Sequence, residues 1–416
     1  MTRRFLLNCA TRAAGITAAG IPMRGERPTY GDIVGAQFQS ANLVGLQAGV
    51  IENGRTVWAE AYGFADIGRR IAMTPDTIIN IASVSKTVTA TAVMQLCEDQ
   101  RLSLDDDINR HLPFAVRNPF HSSEAISVRH LLTHTSSIAD GPAYAEAYLC
   151  GDARLGLREW LSEYLLPGGR YYHESNFHSW QPGERFEYSN VGFGLLGLAV
   201  ETVSYQPFAD VCAHNIFQPL AMASTSFTAK VPSGRQAIPY TTETGERIRD
   251  RVVRHNRSPA LRSRGNRYVA NCLYAFPNFP DGLVRTTVRD FSRFISAVLC
   301  GGQFAGHRIL KALTLEEVFR PQYQQAGRPA SWPAAQGLAW YALRGPNASL
   351  IWLHTGADPG VRTVVMCHLP TRCAALLFAN TAPAEGLTDL AGTCLRRAAE
   401  NVEGPKMMKS RDHPLG

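Results

Sequence analysis

Apolar positions first become regular at residues 46–51 and 55–63, two runs split by Glu52-Asn53-Gly54. An Asn-Gly pair between apolar runs signals a tight hairpin, because both turn positions need positive φ. After Pro75 the period changes. Val84, Val88, Ala92 and Leu96 recur every fourth residue, which predicts a helix that begins near Ser83, buries that stripe and stops near Gln100. From about 107 to 280 loop signals alternate with short helical patterns near 126–133, 157–165 and 191–204. A further helix is expected over 288–299. Apolar runs at 336–343, 350–353, 361–368 and 374–379 read as strands joined by short turns, and 384–402 as a closing helix. No internal repeat or low-complexity linker interrupts this order.

A hairpin, a helix, a long helical middle, a meander and a final helix predict an α+β fold: an antiparallel sheet flanked by helices, with an inserted, mostly helical lobe. The sheet lobe is expected to use residues 28–106 and 285–403, and the helical lobe 107–284. Residues 1–27 and 404–416 are expected to be tails. A crevice between two lobes is a favoured place for a ligand.

Composition narrows the function classes. The charged fraction is ordinary and no stretch approaches the roughly 20 apolar residues of a membrane-spanning helix. A net charge of +7 is mild for 416 residues and gives no reason to expect a nucleic-acid partner. Nine cysteines are scattered without C-x-x-C pairs. The odd number leaves at least one thiol unpaired, which favours a reducing compartment or cysteines buried as small hydrophobes. The N-terminus points the other way. Thr2-Arg3-Arg4-Phe5-Leu6, followed by a small apolar run to Gly20, resembles a twin-arginine export signal and predicts a periplasmic or secreted protein. A mitochondrial-type presequence, or a plain tail on a cytoplasmic protein, is the alternative.

Candidate chemistry starts at Ser83-Val84-Ser85-Lys86. Positions i and i+3 share a helix face, so the Lys86 amine can reach the Ser83 hydroxyl without tertiary help. Ser83 would lie near a helix N-terminus, where the dipole favours developing negative charge. Alone, such spacing is common for a helix cap and a solvated lysine. Two further motifs follow: Tyr188-Ser189-Asn190, in the loop after Gln181-Pro182-Gly183-Glu184, and His354-Thr355-Gly356, at the end of an apolar run.

With these three motifs in this order, and with Val128–Ser136 and Tyr188–Phe193 as flanks, the chain resembles the serine penicillin-recognising superfamily. That group comprises class C β-lactamases, DD-peptidases, D-aminopeptidases and related esterases. The resemblance covers most of residues 45–400. It implies a β-lactamase/transpeptidase-like fold and a metal-independent serine hydrolase that uses no cofactor. Small esters, amides or peptides, including D-amino-acid peptides, would be its partners. By the same resemblance Ser83 is the nucleophile, and the backbone N–H groups of Ser83 and Ala357 form the oxyanion hole. Asn190 would bind the substrate carbonyl, and His354, Thr355 and Gly356 would line the edge that holds the acyl side. Either Lys86, with a pKa lowered by burial, or Tyr188 could take the serine proton; the two form one coupled pair. Acyl transfer, β-lactamase action and a non-turnover penicillin receptor are the alternatives on this scaffold.

Departures sharpen the expectation. His354 stands where β-lactamases carry lysine, which removes a permanent charge for a β-lactam carboxylate. Gln100 and Ser137 replace expected glycines. Asp358 replaces a small residue beside Ala357, where a free carboxylate would repel anionic substrates.

Other signals are weaker. Gly192-Phe193-Gly194-Leu195-Leu196-Gly197 spells a dinucleotide fingerprint, but no apolar strand precedes it, so close helix packing is the expected role. His130 and His134 share a helix face without a third metal ligand. No G-x-S-x-G elbow occurs. Eight arginines between Arg247 and Arg267 read as a solvated loop, or as a site that steers carboxylate-bearing substrates.

Overall fold

A computed structural model describes residues 27–228, 234–242, 261–263, 266–323, 334–345 and 348–403. Both ends of the chain contribute to one eight-stranded antiparallel sheet. Strands β1 (Gly45–Glu52), β2 (Arg55–Asp66) and β3 (Ile71–Ala72) come first in sequence. Strands β4 (Ala335–Gln336), β5 (Tyr341–Arg344), β6 (Leu350–Asp358), β7 (Val361–His368) and β8 (Cys373–Ala379) come last. Their order is β4-β5-β6-β7-β8-β1-β2-β3, so the β8–β1 pair joins the halves. Asn53 and Gly54 turn the first hairpin with φ of 46° and 75°, as its sequence requires.

Helices α1 (Tyr30–Ser40), α6 (Val288–Leu299) and α7 (Leu387–Glu403) pack on the sheet, whereas α2 (Lys86–Glu98), α3 (Val128–Leu132) and α4 (Leu157–Leu165) pack against α5 (Val191–Ser204). Strand β8 shows why its sequence is apolar without alternation. Ala375, Leu377 and Ala379 join a core with α1 and α7, whereas Ala374, Leu376 and Phe378 join the larger core that contains α6. A strand covered on both faces has no polar side. The larger core runs on without a break through α2 and α5.

Several local expectations shift. The helix expected at Ser83 starts at Lys86, and a 3₁₀ turn, Ala82–Ser85, precedes it. Its buried surface is wider than one stripe, because Thr87, Thr89 and Thr91 are also enclosed. Gln100 takes the left-handed conformation at φ 56°, and Arg101 N–H donates to Leu96 O, which closes the helix. Ser137 likewise has φ 61°. The run at 336–343 is broken by a turn at Ala339, so it yields β4 and β5. The run at 350–353 continues as strand to Asp358, because pairing with β7 extends through the polar residues. Helix α1, which the apolar pattern missed, is started by a Thr29/Asp32 capping box.

Cys150 and Cys272 form a disulfide. Cys212, Cys367, Cys373 and Cys394 are buried thiols that fill core space. Among the described residues no helix is long and apolar enough to cross a membrane. The export motif and most of the arginine-rich stretch lie outside the described residues.

Candidate active site

Ser83 sits in the tight turn between the Ile79–Asn80 strand and α2. Ala82, just before it, is held at φ 48°, a left-handed conformation that costs a non-glycine residue about 1–2 kcal/mol. Asn80 supports this turn by accepting the Ala82 N–H at 2.9 Å. Strand β6 passes directly behind it. A Cβ on Gly356 would lie 2.5 Å from the Ile81 carbonyl and 2.2 Å from Thr363 Oγ1, so only glycine fits. Thr363 Oγ1 donates to that same carbonyl at 2.8 Å. Ala357 therefore follows the point where strand and turn meet.

The first residue of α2 carries the site's central amine. Lys86 is fully buried, and its Nζ donates to Asn190 Oδ1 and to the Asp281 carbonyl, both at 2.7 Å. The same nitrogen lies 3.3 Å from Ser83 Oγ. It also stands 5.0 Å from the centroid of the Tyr188 ring and 5.4 Å from that of Phe193. Ser83, Lys86, Tyr188 and Asn190 thus meet in one place. His354 is buried nearby, and its Nδ1–H donates to the Thr355 carbonyl at 2.8 Å. Thr355 Oγ1 meets the Tyr341 hydroxyl at 2.7 Å.

The Tyr188 hydroxyl is buried without a formed hydrogen bond, although it is close enough to Ser83 for that hydroxyl to ease its ionisation. Burial is the larger influence and holds the phenol well above its ordinary pKa. His134 stacks on the Tyr188 ring, with centroids 4.2 Å apart, and accepts the Ser189 N–H at Nδ1. These contacts make it a prop for the Tyr188–Ser189 segment. His130 caps its own helix through Nδ1. Among the described residues no cluster of three His, Cys, Asp or Glu side chains is spaced to hold a metal ion.

Burial lowers the Lys86 pKa, and Asp281, Asp140 and Asp358 oppose it in that order. His354 is pushed down to about 3, first by burial and then by the Lys86 charge, so it is neutral at pH 7. Asp281 is fully enclosed and raised to about 7 by burial, despite Lys86 nearby and hydrogen bonds from Asn278 and Tyr144.

Sequence reasoning missed three supports. Asp140 accepts the Asn190 N–H at 2.9 Å, Asn190 Nδ2 at 2.7 Å and the Val191 N–H at 3.1 Å, which fixes Asn190 and caps α5. Its one signal is its place at the end of the His134–Asp140 segment. Asp281 and Asn80 carry no motif. The expectation for Asp358 is corrected. Its carboxylate is buried and bound by Tyr148 at 2.9 Å and Asn80 at 3.1 Å, so it is not free to face a substrate. The glycine series does serve packing: a Cβ on Gly194 or Gly197 would strike Asn278 or Pro280 at 1.7 and 2.4 Å. This close approach seats α5 on the Phe279–Asp281 turn, which delivers the Asp281 carbonyl to Lys86.

Known proteins share this arrangement of elements. The D-amino acid amidase from Ochrobactrum anthropi SV3, in complex with L-phenylalanine, superposes with a TM-score of 0.68 at 22% identity, over 90% of this chain and 99% of that one. Protein flp of Staphylococcus aureus (strain N315) is 29% identical over 195 residues, 47% of this chain and 37% of that protein. Esterase EstB of Burkholderia gladioli is 33% identical over 217 residues, 51% of this chain and 54% of that protein. The matches thus span about half or less of these curated relatives. Residues 32–395, which hold the whole crevice from Ser83 to Ala357, match the Beta-lactamase family, and the chain belongs to it.

Proposed function

We propose that the protein is a serine hydrolase that cleaves small esters or amides through an acyl-enzyme on Ser83. The observation that carries this reading is the set of contacts around Lys86 Nζ. A neutral amine has two N–H donors and one lone pair. Asn190 Oδ1 and the Asp281 carbonyl take the two donors, and the lone pair is left for the Ser83 hydroxyl at 3.3 Å. Burial favours that neutral form. Tyr188, held as a phenol by its enclosure, suits the second task of passing a proton to the leaving group. Lys86 is therefore the base and Tyr188 the relay in this reading.

The Ser83 and Ala357 N–H groups would stabilise the oxyanion, a contribution worth about 3–4 kcal/mol per donor. Neutral His354 gives no fixed cation for a β-lactam carboxylate, which favours ester and amide substrates. The similarity to an esterase, EstB, and to a D-amino acid amidase agrees with that substrate class. The export motif and the disulfide together support residence in an oxidising compartment.

Intact-protein mass spectrometry after a fluorophosphonate, together with turnover of p-nitrophenyl acetate, tests the reading. The expected result is a stoichiometric adduct on Ser83 and steady turnover that Ser83→Ala abolishes. A single burst without turnover would instead identify a receptor, and an adduct elsewhere would remove the assignment.

A further inference from the structure

The disulfide stands at one edge of the site. Cys150 and Cys272, 122 residues apart in sequence, are joined inside a short antiparallel ladder in which Leu149 pairs with Ala275 and Cys150 with Tyr274. Gly151 N–H extends it by donating to Leu273 O at 2.8 Å. Cys150 is exposed and Cys272 half-buried. Two residues inward from each sulfur is a buried tyrosine, Tyr148 on one segment and Tyr274 on the other, with ring centroids 5.7 Å apart.

Both tyrosines end on the same polar pair. Tyr148 Oη donates to Asp358 Oδ1 at 2.9 Å. Tyr274 Oη donates to Pro359 O at 3.2 Å and accepts from Asn80 Nδ2 at 3.4 Å. Asn80 Nδ2 also donates to Asp358 Oδ2 at 3.1 Å, and Asn80 Oδ1 accepts the Ala82 N–H. One end of this chain of contacts thus holds the left-handed residue before Ser83. The other holds β6 at Asp358 and Pro359, just after Ala357. A backbone conformation that is unfavourable by itself persists only where its surroundings impose it.

On the acyl-enzyme reading above, we infer that the Cys150–Cys272 bond, Tyr148 and Tyr274 form a clamp that keeps the Ser83 turn and the Ala357 strand in register, and that reducing the bond slows acylation of Ser83 without unfolding the protein. Tyr148, Tyr274, Asn80 and Asp358 are positioning residues in this scheme. The reductant is an external dithiol. It supplies two electrons and two protons, the S–S bond becomes two thiols, and the dithiol closes to a cyclic disulfide. The described free cysteines are thiols already and are unchanged by this step. Neither cysteine is a member of a hydrophobic core, although Cys272 lies against the larger one, to which Tyr148 and Tyr274 belong.

The test uses the full chain in three states: oxidised, treated with dithiothreitol, and reoxidised. Alkylation and mass spectrometry verify the thiol count, and far-UV circular dichroism verifies the fold. The rate of fluorophosphonate labelling of Ser83 and the kcat and KM for a short ester are read in each. The expected result on reduction is labelling and kcat about five- to twentyfold slower, with KM changed less than about twofold, and recovery on reoxidation. Tyr148→Phe with the bond intact should show a similar loss, and reducing that variant should add little.

Equal labelling rates in the oxidised and reduced folded protein overturn the clamp. A wild-type rate in oxidised Tyr148→Phe also overturns it, and that measurement decides alone should the reduced protein unfold. If the oxidised wild type gives no adduct on Ser83, the acyl-enzyme reading fails and takes the clamp with it. Labelling without a redox effect removes the clamp alone.

Discussion

Replacing Asp140 with asparagine isolates the support behind the base. The carboxylate accepts the Asn190 N–H with both oxygens, at 2.9 and 3.0 Å, and also takes Asn190 Nδ2 and the Val191 N–H. Asp140→Asn keeps the size but turns one oxygen into a donor. Its remaining oxygen can serve the backbone, and its NH2 then confronts Asn190 Nδ2. Either two donors face each other, or the Asn190 amide turns over and presents NH2 to Lys86 in place of Oδ1. A hydrogen bond to a charged group contributes about 1.5–3 kcal/mol. Losing the negative charge at the start of α5 costs about 0.3–1 kcal/mol more. If about 2–3 kcal/mol of this reaches the barrier, kcat/KM falls roughly 30- to 150-fold. The remainder lowers the melting temperature by a few degrees. Ester hydrolysis at saturating and limiting substrate, with a thermal melt, reads both numbers. A variant within about threefold of wild type in kcat/KM would refute the idea that Asp140 sets the Asn190–Lys86 geometry.

Tyr188→Phe should separate function from stability. The hydroxyl has no formed hydrogen bond to lose, so unfolding by urea should change by less than about 1 kcal/mol, whereas kcat should drop about 10²- to 10⁴-fold. A large stability loss, or unchanged turnover, contradicts this. His354→Asn tests the acid side. His354 is neutral in the fold down to about pH 3 but protonates near 6.5 when unfolded, so the unfolded state binds the extra proton. The wild type therefore loses stability from this residue as pH falls through that window, as it does from His134, whose pKa is also lowered. Asp281, raised to about 7, acts in the opposite sense between about 4 and 7. The variant should flatten the stability slope by about 1.4 kcal/mol per pH unit between pH 4 and 6. Urea midpoints at three pH values measure this, and an unchanged slope means His354 is charged in the fold.

What the sequence made legible is what chemistry places locally. Ser83 and Lys86 are one helical turn apart, so their encounter follows from spacing alone. The helices at 157–165 and 288–299 emerged at those bounds because their apolar residues fall on one face, with Thr287 capping the second, and the helix at 191–204 because its apolar run is long. The rest depends on encounters between distant segments. The Asp281 carbonyl that meets Lys86 is a backbone group with no residue signature. Asp140 looks like any loop carboxylate until α5 is seated on it. Cys150 and Cys272 are unremarkable in a scattered set of nine. The apolar pattern of β6 ends at Leu353 because His354, Thr355 and Asp358 are polar; Tyr341 and Tyr148, from other elements, compensate the burial of Thr355 and Asp358, and His354 is satisfied at the neighbouring Thr355 carbonyl. The α1 capping box was readable from Thr29 and Asp32 but lacked an apolar pattern strong enough to draw notice.

The pairing of β1 with β8 fixes the timing of assembly in the cell. The N-terminal hairpin leaves the ribosome with one edge of β1 unsatisfied, and its partner lies roughly 320 residues further on. At about 5–20 residues per second, that edge waits roughly 15–65 s for its neighbour. Throughout that interval it can pair with another nascent chain, so the crowding of ribosomes on one message, and the chaperones that shield exposed strands, bear directly on yield.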